Sequence, residues 1–576
     1  MRLYDLTVRR VRAHRGPQDG CGNYQGLFEV EPRPRPVLSP STHVLSRACG
    51  NPQAGGGQGA DLQIADVGGI FDGRFSRGST GTQRPPVEAA SGAGYSVDES
   101  EPMTETLAHR PWLHTPLLCA LAAAYGGLIA IKPLVAAGLA VVLLVVALAF
   151  LAPVTHLAIL LFLTTIVPYS LSNRYLGLST GPGALLSDLF LVTGLASATV
   201  ALTQAKIGPR GLMVLGSIVA LCVWVVFAAY SGVRQGRNLS DVGLELRELG
   251  GYSAALIAMA VLLRRGASAR LGRALLMLGL LLGLWGLVQW LGGLQFEAVG
   301  DFGVREGVSY ASGARGQVQG GLFAFPVAII VSTAVLASGE LRGRPTRLAV
   351  GAVLALNAVS LLLTFERTFW LVTALGIALV ILRAGRARRA RALLTTATIV
   401  IIGLAATSAL SPDILQAASS RLLSVGQYGS DNSLRYRSVE SRHVLREIGE
   451  APIVGSGLGA SIWWGRPWDG VLPTTETYSH NGYFRLVWRL GLLGAGMLLL
   501  PLLLSIRWRA SPERGGAFAS IRVGGQVSLL ALLIASALFP VFTGYGITTA
   551  IGVLVGICAL PRPAFPTRQA AHVGAN

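Results

Sequence analysis

Charged side chains are scarce in this sequence of 576 residues. They make up 13% of it, whereas soluble proteins contain about 25%. Hydrophobic residues make up 52%, and apolar runs long enough to cross a bilayer recur from about residue 113 to residue 560. Because the bilayer core offers the backbone no hydrogen-bond partners, these runs should be helices. The sequence therefore excludes an ordinary soluble protein and predicts an all-α fold, a polytopic transmembrane helical bundle of about 12–14 helices.

Cysteine is also scarce, with five residues in the whole chain. Three of them sit in apolar runs, and no large loop contains a pair, so no disulfide framework is expected. The predicted outer loops contain neither an Asp-x-Asp motif nor a cluster of histidine and cysteine that would suggest a metal site. The sequence therefore predicts no metal and no cofactor.

An apolar segment directly after Met1 is absent too, so no signal peptide is expected. Residues 1–102 are rich in Gly, Pro, Arg and Ser and lack periodicity. This composition predicts a disordered extension or an over-extended start, with Met103 as a natural start. The extension holds eleven arginines and eleven acidic residues, so the net charge of +19 belongs to the membrane part. Basic short loops are typical of membrane proteins, and nucleic acid is not expected as a partner.

After the extension we expect an N-terminal transmembrane bundle over 103–410, a large outer loop over 411–482, and C-terminal transmembrane helices with a cytoplasmic tail over 483–576. The individual helices are predicted near 113–131, 133–151, 153–170, 184–203, 211–230, 251–264, 271–293, 320–338, 346–364, 368–383, 393–410, 483–506, 521–540 and 541–560.

Arginine clusters at 264–273, 342–347, 383–391 and 507–514 select the orientation. All four fall on one side of the predicted bundle, which is therefore cytoplasmic. The chain is expected to be a multi-pass protein of the cytoplasmic (inner) membrane with loop 411–482 on the periplasmic or extracellular side. That loop carries six arginines where positive charge is normally sparse: Arg421, Arg435, Arg437, Arg442, Arg446 and Arg466. Because arginine matches phosphate with paired hydrogen bonds, a phosphate-bearing ligand is the simplest reason for them.

A charged pair, Glu366 and Arg367, stands at the outer end of the predicted tenth helix. Charges at a membrane boundary are costly unless they are paired or functional. The pair therefore indicates a site at the outer face. The alternative is an interfacial anchor beside Trp370.

A stripe of apolar and small residues predicts a helix over 434–448, its members being Leu434, Ser438, Ser441, Val444, Leu445 and Ile448. Arg435, Arg442 and Arg446 share one flank of this helix. Arg437 lies on the opposite edge, so it is the arginine expected to point inward, toward a site. The alternative is an amphipathic helix that lies on the bilayer and is attracted to anionic headgroups.

Beyond this helix, Gly455, Gly457 and Gly459 predict a flexible segment. His480 follows at the entry to the twelfth predicted helix, on the same face as the arginines. A lone histidine is more often structural than catalytic. At a helix mouth beside arginines, however, it can serve as a general base near neutral pH.

Residues 437–491 resemble the O-antigen ligase and polymerase superfamily, which builds bacterial surface polysaccharides from undecaprenyl-linked glycans. The pattern of Arg, about fourteen residues, then Pro-x-x-Gly-x-Gly-x-Gly is matched by Arg437, Pro452, Gly455, Gly457 and Gly459. The pattern His-Asn-x-Tyr-x(7)-Gly is matched by His480, Asn481, Tyr483 and Gly491. Arg367 matches an arginine near the start of an earlier helix. Ser441 stands where the family often has Trp, and Arg489 where an acidic residue is common, which leaves the acceptor open.

The resemblance implies a metal-independent, inverting glycosyltransferase or ligase. It would move a polysaccharide from an undecaprenyl-pyrophosphate-linked donor to a hydroxyl of a glycan or glycolipid acceptor, in contact with membrane lipid. Arg367 and Arg437 would bind the pyrophosphate and stabilise the leaving group, and His480 would orient or deprotonate the acceptor hydroxyl. The expected substrate-binding residues are Glu366, Arg442, Asn481 and Tyr483.

A transporter or flippase for lipid-linked glycans is the alternative function. Transporters place ionisable groups near the bilayer midplane between repeated halves, and the sequence shows few such groups and no obvious repeat. A metal-dependent lipid-linked glycosyltransferase with an acidic first outer loop is disfavoured, because Lys132-Pro133 takes the place of that loop. Ligase and polymerase share the donor chemistry, so the sequence leaves that choice open.

Overall fold

The computed structural model describes most of the chain between Lys132 and Leu560. The described residues are 132–167, 182–291, 321–341, 343–410, 416, 418–419, 432–466, 471–506 and 516–560. The predicted extension over 1–102 and the first predicted helix, 113–131, lie outside them.

The described part of the chain is almost entirely helical. Its helices are α1 (Pro133–Leu151), α2 (Pro153–Thr165), α3 (Pro182–Thr203), α4 (Pro209–Arg234), α5 (Leu239–Gly250), α6 (Ala254–Leu263), α7 (Ala267–Leu291), α8 (Gly321–Ser338), α9 (Arg344–Leu363), α10 (Arg367–Arg383), α11 (Arg386–Leu410), α12 (Asn432–Glu450), α13 (Gly482–Ser505), α14 (Gly516–Ala535) and α15 (Tyr545–Ala559). A 3-10 turn, Gly251–Ser253, joins α5 to α6.

Eight helical segments within these ranges are long and apolar enough to cross a membrane. Four more apolar helices are shorter, namely α1, α2, α8 and α15. Apolar side chains also cover the outside of the bundle, as Val223 at 66% exposure and Leu492 at 60% illustrate. Such a surface is compatible with lipid and not with water. The structure therefore confirms the predicted all-α, polytopic bundle.

The helix predicted at 251–264 was wrong at its start, because the structure begins it twelve residues earlier as α5. The side chain of Asn238 caps α5 by accepting a hydrogen bond from Ser240 N at 3.0 Å. Through the 3-10 turn, α5 and α6 form one segment from Leu239 to Leu263 that could span a membrane. Four charged residues lower the hydropathy of α5, so its apolar character could not be detected from the sequence: Asp241, Glu245, Arg247 and Glu248.

The last helix, α15, lies in the interior and packs closely on α6. A Cβ atom on Gly556 would lie 2.5 Å from the carbonyl oxygen of Ala255, so only glycine allows this approach. The sequence predicted two helices meeting at residue 540. The structure instead has a turn between Ala535 and Tyr545, and the hydroxyl of Tyr252 donates to Phe542 O in that turn at 3.2 Å. This turn lies against the candidate site.

The predicted outer loop contains α12, as expected, and also a hairpin that was not predicted. Strands β1 (Ile462–Arg466) and β2 (Val471–Glu476) pair antiparallel, with Ile462 opposite Glu476. The hairpin stands between α12 and α13 in sequence and packs against α12.

Candidate functional site

Helix α12 faces inward through Val444. Val444 and Trp488 are fully buried and form a small apolar cluster with Ala460 and Ile462. The predicted apolar stripe was therefore wrong by about one position, since Leu445 is 47% exposed. Glu440 lies one turn before Val444 on the buried face, and it is only 1% exposed.

Glu440 holds His480 with both carboxylate oxygens. Its Oε2 lies 2.7 Å from Nδ1 of the imidazole, and its Oε1 accepts a hydrogen bond from the backbone N–H of His480 at 2.6 Å. The Glu440 side chain is 2% exposed and that of His480 is 22% exposed. The two contacts fix both the backbone and the ring of His480, while one edge of the ring still reaches solvent.

Two tyrosine rings stand perpendicular to the imidazole. The ring centroid of Tyr436 lies 5.3 Å from that of His480, and the centroid of Tyr478 lies at 4.9 Å. Burial raises the pKa of Tyr478 well above its ordinary value of 10.0, so this phenol stays neutral. The tyrosines therefore restrict the rotation of the ring without adding charge next to it.

The Glu440–His480 contact decides which ring nitrogen can act as a base. A carboxylate accepts hydrogen bonds, so Nδ1 carries the proton and donates it. Nε2 is then the nitrogen with a free lone pair. This is the arrangement in which a carboxylate orients a histidine that takes a proton from a hydroxyl. The pair can therefore perform general base catalysis.

Arg437 is half-buried, and its Nη1 donates to Leu538 O in the turn after α14 at 3.2 Å. Its buried Nε has no hydrogen-bond partner among the described residues, so the guanidinium keeps donors for an anion. Arg442 and Arg446 are exposed on the other flank of α12. The helical wheel was thus right that Arg437 points inward. Arg442 lies on the other flank, where its Nε donates to Ser438 O of the preceding turn at 3.5 Å.

Glu366 and Arg367 stand at the start of α10, where the chain reverses direction after α9. Phe365 before it has a φ of 54°, a left-handed conformation that is uncommon outside glycine. One turn into α10, the ring of Phe369 packs on Phe539 at 5.2 Å. Phe539 directly follows Leu538, the residue that Arg437 contacts. The start of α10 and Arg437 therefore meet the same turn.

Tyr478 links these elements electrostatically. The charges that act on its hydroxyl belong to Arg437, Glu440, Glu366 and Arg485. The structure therefore brings Glu366, Arg437 and His480 to one end of the bundle. That Arg367 and Arg437 share one phosphate site stays a prediction.

A buried network of four charges lies beneath His480. Arg489 pairs with Glu245 at 2.8 Å, and Arg485 lies 3.5 Å from Glu248 and 3.6 Å from Glu245. Arg489 also donates to Thr477 O at 2.5 Å and to Ala460 O. It thereby ties the two chain segments on either side of the hairpin to α13. Arg489, which stands where an acidic residue is common in the family, is thus neutralised by Glu245 of α5.

The glycine-rich segment was predicted to be flexible, and the structure shows the opposite. Gly455, Gly457 and Gly459 have φ values of 78°, 77° and 73°, a region that strains other residues. Gly491 breaks α13 with a φ of 69°, which frees carbonyls of α13 to accept hydrogen bonds from this segment. Ser456 N–H donates to Trp488 O at 2.8 Å, and Gly457 N–H donates to the next carbonyl. The glycines therefore serve close packing.

Asn481 and Tyr483 were predicted to bind substrate, and the structure uses their oxygens within the fold. Asn481 Oδ1 accepts from the backbone N–H groups of Tyr483 and Phe484, both at 3.0 Å, and so caps α13. The hydroxyl of Tyr483 donates to Leu533 O at 2.6 Å. Both residues fix the start of α13 directly after His480.

The sequence did not point to Glu440, Glu245 or Arg485. Glu440 had a usable signal, because it lies between Tyr436 and Val444 at helical spacing on the apolar face. A carboxylate on such a face needs a buried partner. Nothing in the sequence, however, names His480, 40 residues later, as that partner.

No group of three or more His, Cys, Asp or Glu side chains in the described ranges could hold a metal ion. Arg437, which is half-buried on α12 three residues before Glu440, brings positive charge to this end of the bundle.

The sequence model described as O-antigen ligase matches residues 350–499. This range runs from α9 into α13 and includes Arg367, Arg437, Glu440 and His480. No curated protein matches the chain. The match agrees with the resemblance found at the Arg437, glycine and His480 patterns. The chain therefore carries an O-antigen ligase domain at residues 350–499, and this domain supports a membrane glycan transferase of the O-antigen ligase and polymerase type.

Proposed function

We propose that the protein transfers a polysaccharide from an undecaprenyl-pyrophosphate donor to an acceptor hydroxyl at the outer face of the cytoplasmic membrane. One observation carries the proposal: Nδ1 of His480 lies 2.7 Å from the buried carboxylate of Glu440, beside Arg437 and inside the O-antigen ligase domain. This pair needs a hydroxyl to act on, which an acceptor sugar supplies.

In the proposed reaction, Nε2 of His480 takes the proton of the acceptor hydroxyl as its oxygen attacks the anomeric carbon of the donor. A new glycosidic C–O bond forms. The bond between the anomeric carbon and the phosphate oxygen breaks, and its electron pair leaves with undecaprenyl pyrophosphate. A single in-line displacement inverts the anomeric configuration. Glu440 stabilises the imidazolium that forms and keeps the ring in position.

Arg437 and Arg367 would bind the pyrophosphate and stabilise the charge that develops on it. Because guanidinium groups supply this charge, transfer would need no divalent metal. Glu366 and Arg442 would contact the glycan at the rim of the site. Asn481 and Tyr483 would contribute by holding the start of α13, since their oxygens are already bonded to the protein.

The outer location rests on charge. The described arginines of the short loops, among them Arg264, Arg383 and Arg388, lie at the opposite end of the bundle from His480, and such clusters are retained on the cytoplasmic side. The site would then face the periplasm or the cell exterior, where a lipid-linked glycan is available after its translocation.

The proposal is tested by His480→Ala in purified protein with a lipid-linked glycan and candidate acceptors. We expect transfer to fall by about 10²–10⁴-fold, the usual contribution of a general base, while the donor still binds. His443→Ala, a change to a second histidine of the same outer loop, is the control and should transfer at nearly the native rate. Native-rate transfer by His480→Ala would make the histidine structural. Translocation of intact donor without any transfer would favour the transporter instead.

A further inference from the structure

The segment between α12 and β1, residues 451–461, turns at Pro452–Val454. Its backbone joins α13 at the Gly491 break: Leu492 N–H donates to Pro452 O at 2.8 Å, and Leu493 N–H donates to Ile453 O at 3.2 Å. The turn is therefore level with the tenth and eleventh residues after the start of the helix at Gly482. At 1.5 Å per residue, this is about 15 Å along α13.

Helix α4 gives an independent measure of the bilayer. It exposes apolar side chains along its whole length, namely Leu212, Met213, Val219, Val223, Val226, Phe227, Tyr230 and Val233. From Leu212 to Val233 the helix rises about 32 Å at 1.5 Å per residue. This length matches the hydrocarbon core of a bilayer, which is about 30 Å thick. The exposed face of α4 therefore marks where lipid begins and ends.

A hydrogen bond from Trp224 relates the depth along α4 to a position on α13. Its Nε1 donates to Leu490 O at 2.9 Å, so Leu490 is level with Trp224. Trp224 lies about 14 Å below Val233 at 1.5 Å per residue. Since the turn joins α13 just beyond Leu490, its tip too lies below the level at which the exposed apolar face of α4 ends. The segment then returns toward the site, with Leu458 N–H donating to Ala228 O at 3.1 Å.

The tip of the turn is apolar and exposed. Ile453 is 65% exposed and Val454 is 46% exposed, and next to them Leu492 and Leu493 of α13 are 60% and 45% exposed. The turn also bonds its own backbone: besides the two carbonyls bonded to α13, Gly455 N–H donates to Ala451 O at 2.9 Å. Irregular backbone is tolerated at membrane depth only when its polar groups are satisfied in this way.

We infer that residues 451–461 form a re-entrant segment that enters the bilayer from the His480 side, with Ile453 and Val454 in contact with the hydrocarbon chains of bilayer lipid. The chain reverses direction against α13 within one short segment. This reversal is possible because Gly455, Gly457 and Gly459 are left-handed and α13 is broken at Gly491. Ile453 and Val454 continue the lipid-facing surface of α13. This surface is separate from the transfer chemistry, so the inference stands whether or not His480 is the base.

The depth of the tip is tested by spin labels in the full chain reconstituted in nanodiscs of phosphatidylethanolamine and phosphatidylglycerol. A nitroxide on Ile453→Cys should be accessible to molecular oxygen and shielded from a water-soluble nickel chelate, as should a label on Leu492→Cys. A label on Ser240→Cys, an exposed residue beyond the outer end of α4, should show the reverse. Labelled protein without the added cysteine provides the background. Equal nickel accessibility at positions 453 and 240 would overturn the inference.

A charge at the tip gives a second readout that needs no label. Ile453→Lys should lower the unfolding midpoint in the same nanodiscs by about 5 °C or more, because a charge is costly in hydrocarbon. Leu239→Lys is the matched control, since Leu239 is 69% exposed but lies beyond Val233, outside the apolar face of α4. It should shift the midpoint by no more than about 1 °C. Equal shifts for the two variants would contradict the re-entrant segment, and if Ile453→Lys does not fold, the label on Ile453→Cys still decides.

Discussion

The two ends of the bundle both carry many arginines, and they use them differently. At the end opposite His480, which we call the basic end, arginines bond to carbonyl oxygens where helices finish. Arg264 donates to Phe150 O at 2.9 Å, Arg388 to Ser338 O at 2.7 Å, and Arg522 to Ile557 O at 3.1 Å. The last carbonyls of a helix have no partner within it, and they carry partial negative charge. These arginines therefore complete the helices.

We call the end that holds His480 the site end. Its arginines pair with buried carboxylates or lie on α12 beside Glu440. Arg489 pairs with Glu245, whose other oxygen accepts from Gly459 N–H at 2.7 Å. Arg437 bonds to one carbonyl and keeps a buried donor without a partner in the described part of the chain. Arginine at this end therefore either fixes the backbone around His480 or offers charge to an anion.

The difference shows that the number of arginines in a loop says little about function, whereas their partners say much. A carbonyl is neutral, so the loss of one arginine at the basic end leaves a single acceptor that water can reach. A buried carboxylate is charged, so the loss of its arginine leaves a charge in a medium that cannot solvate it. The two ends should thus respond to the same substitution by very different amounts.

The largest effect is expected for Arg489→Ala. Arg489 is 3% exposed and its partner Glu245 is 8% exposed at the side chain, and breaking such a pair typically costs about 3–5 kcal/mol. Arg388→Ala at the basic end is the matched change and should cost about 1.5 kcal/mol, the lower end for a hydrogen bond that involves a charged group, because this bond is only partly buried. The free energies of unfolding of the two variants in detergent compare the ends directly.

A double variant distinguishes loss of the pair from loss of packing. Glu245→Gln added to Arg489→Ala removes the unpaired charge, so it should recover part of the stability. If Arg388→Ala and Arg489→Ala destabilise equally, or if the double variant recovers nothing, the buried network is not what distinguishes the site end.

A smaller effect on stability, but a large one on rate, is expected for Glu440→Gln. The carboxylate accepts from both the ring and the backbone of His480, whereas an amide has one oxygen and can accept from only one of them. We expect the transfer rate to fall by about 10²-fold with little change in the KM for the donor. Glu450→Gln, on the exposed end of the same helix, should leave the rate unchanged. Equal rates for Glu440→Gln and the native protein would mean that Glu440 does not position the base.

The membrane helices could be predicted from the sequence because the backbone in lipid must satisfy its own hydrogen bonds, as it does in a helix. α9, α10 and α11 were predicted with at least one end within a few residues of the structure. The start of α5 could not be predicted, since its four charged side chains lower its hydropathy. Three of them have partners on α3 and α13, far away in sequence: Arg247 lies 2.8 Å from Asp188, and Glu245 and Glu248 lie near Arg485.

The candidate site, too, could be predicted from the sequence only where a feature depends on a single helix. The inward position of Arg437 followed from helical periodicity alone, because it depends on one helix. The partner of His480 depends on how α12 packs against the residues before α13, and no pattern within either stretch encodes that distance. The role of the glycines also depended on a second element, since their left-handed conformations matter only against the break at Gly491.

A moderate effect on binding is expected for Arg437→Ala. A charge-assisted hydrogen bond contributes about 1.5–3 kcal/mol, so donor affinity should fall by about 10- to 100-fold and the rate should fall with it. Arg446→Ala is the control, because Arg446 is an exposed arginine on the same helix. Donor affinity and transfer rate are measured for both. If the two variants are equally damaged, the loop binds phosphate through a diffuse basic surface and not through an inward arginine.

The smallest effect, none at all, is expected when divalent cations are removed. If guanidinium groups at the site end neutralise the pyrophosphate, transfer should continue at the native rate in EDTA, because the charge that a metal would supply is already present. Arg437→Ala sharpens this test, since added magnesium should not restore its rate when arginine makes the contact directly. The transfer rate is measured for both proteins with EDTA and with excess magnesium or manganese. Activity of the native protein that vanishes in EDTA and returns with magnesium or manganese would favour a metal-dependent transferase, and the arginines of the site end would then serve only to hold the fold.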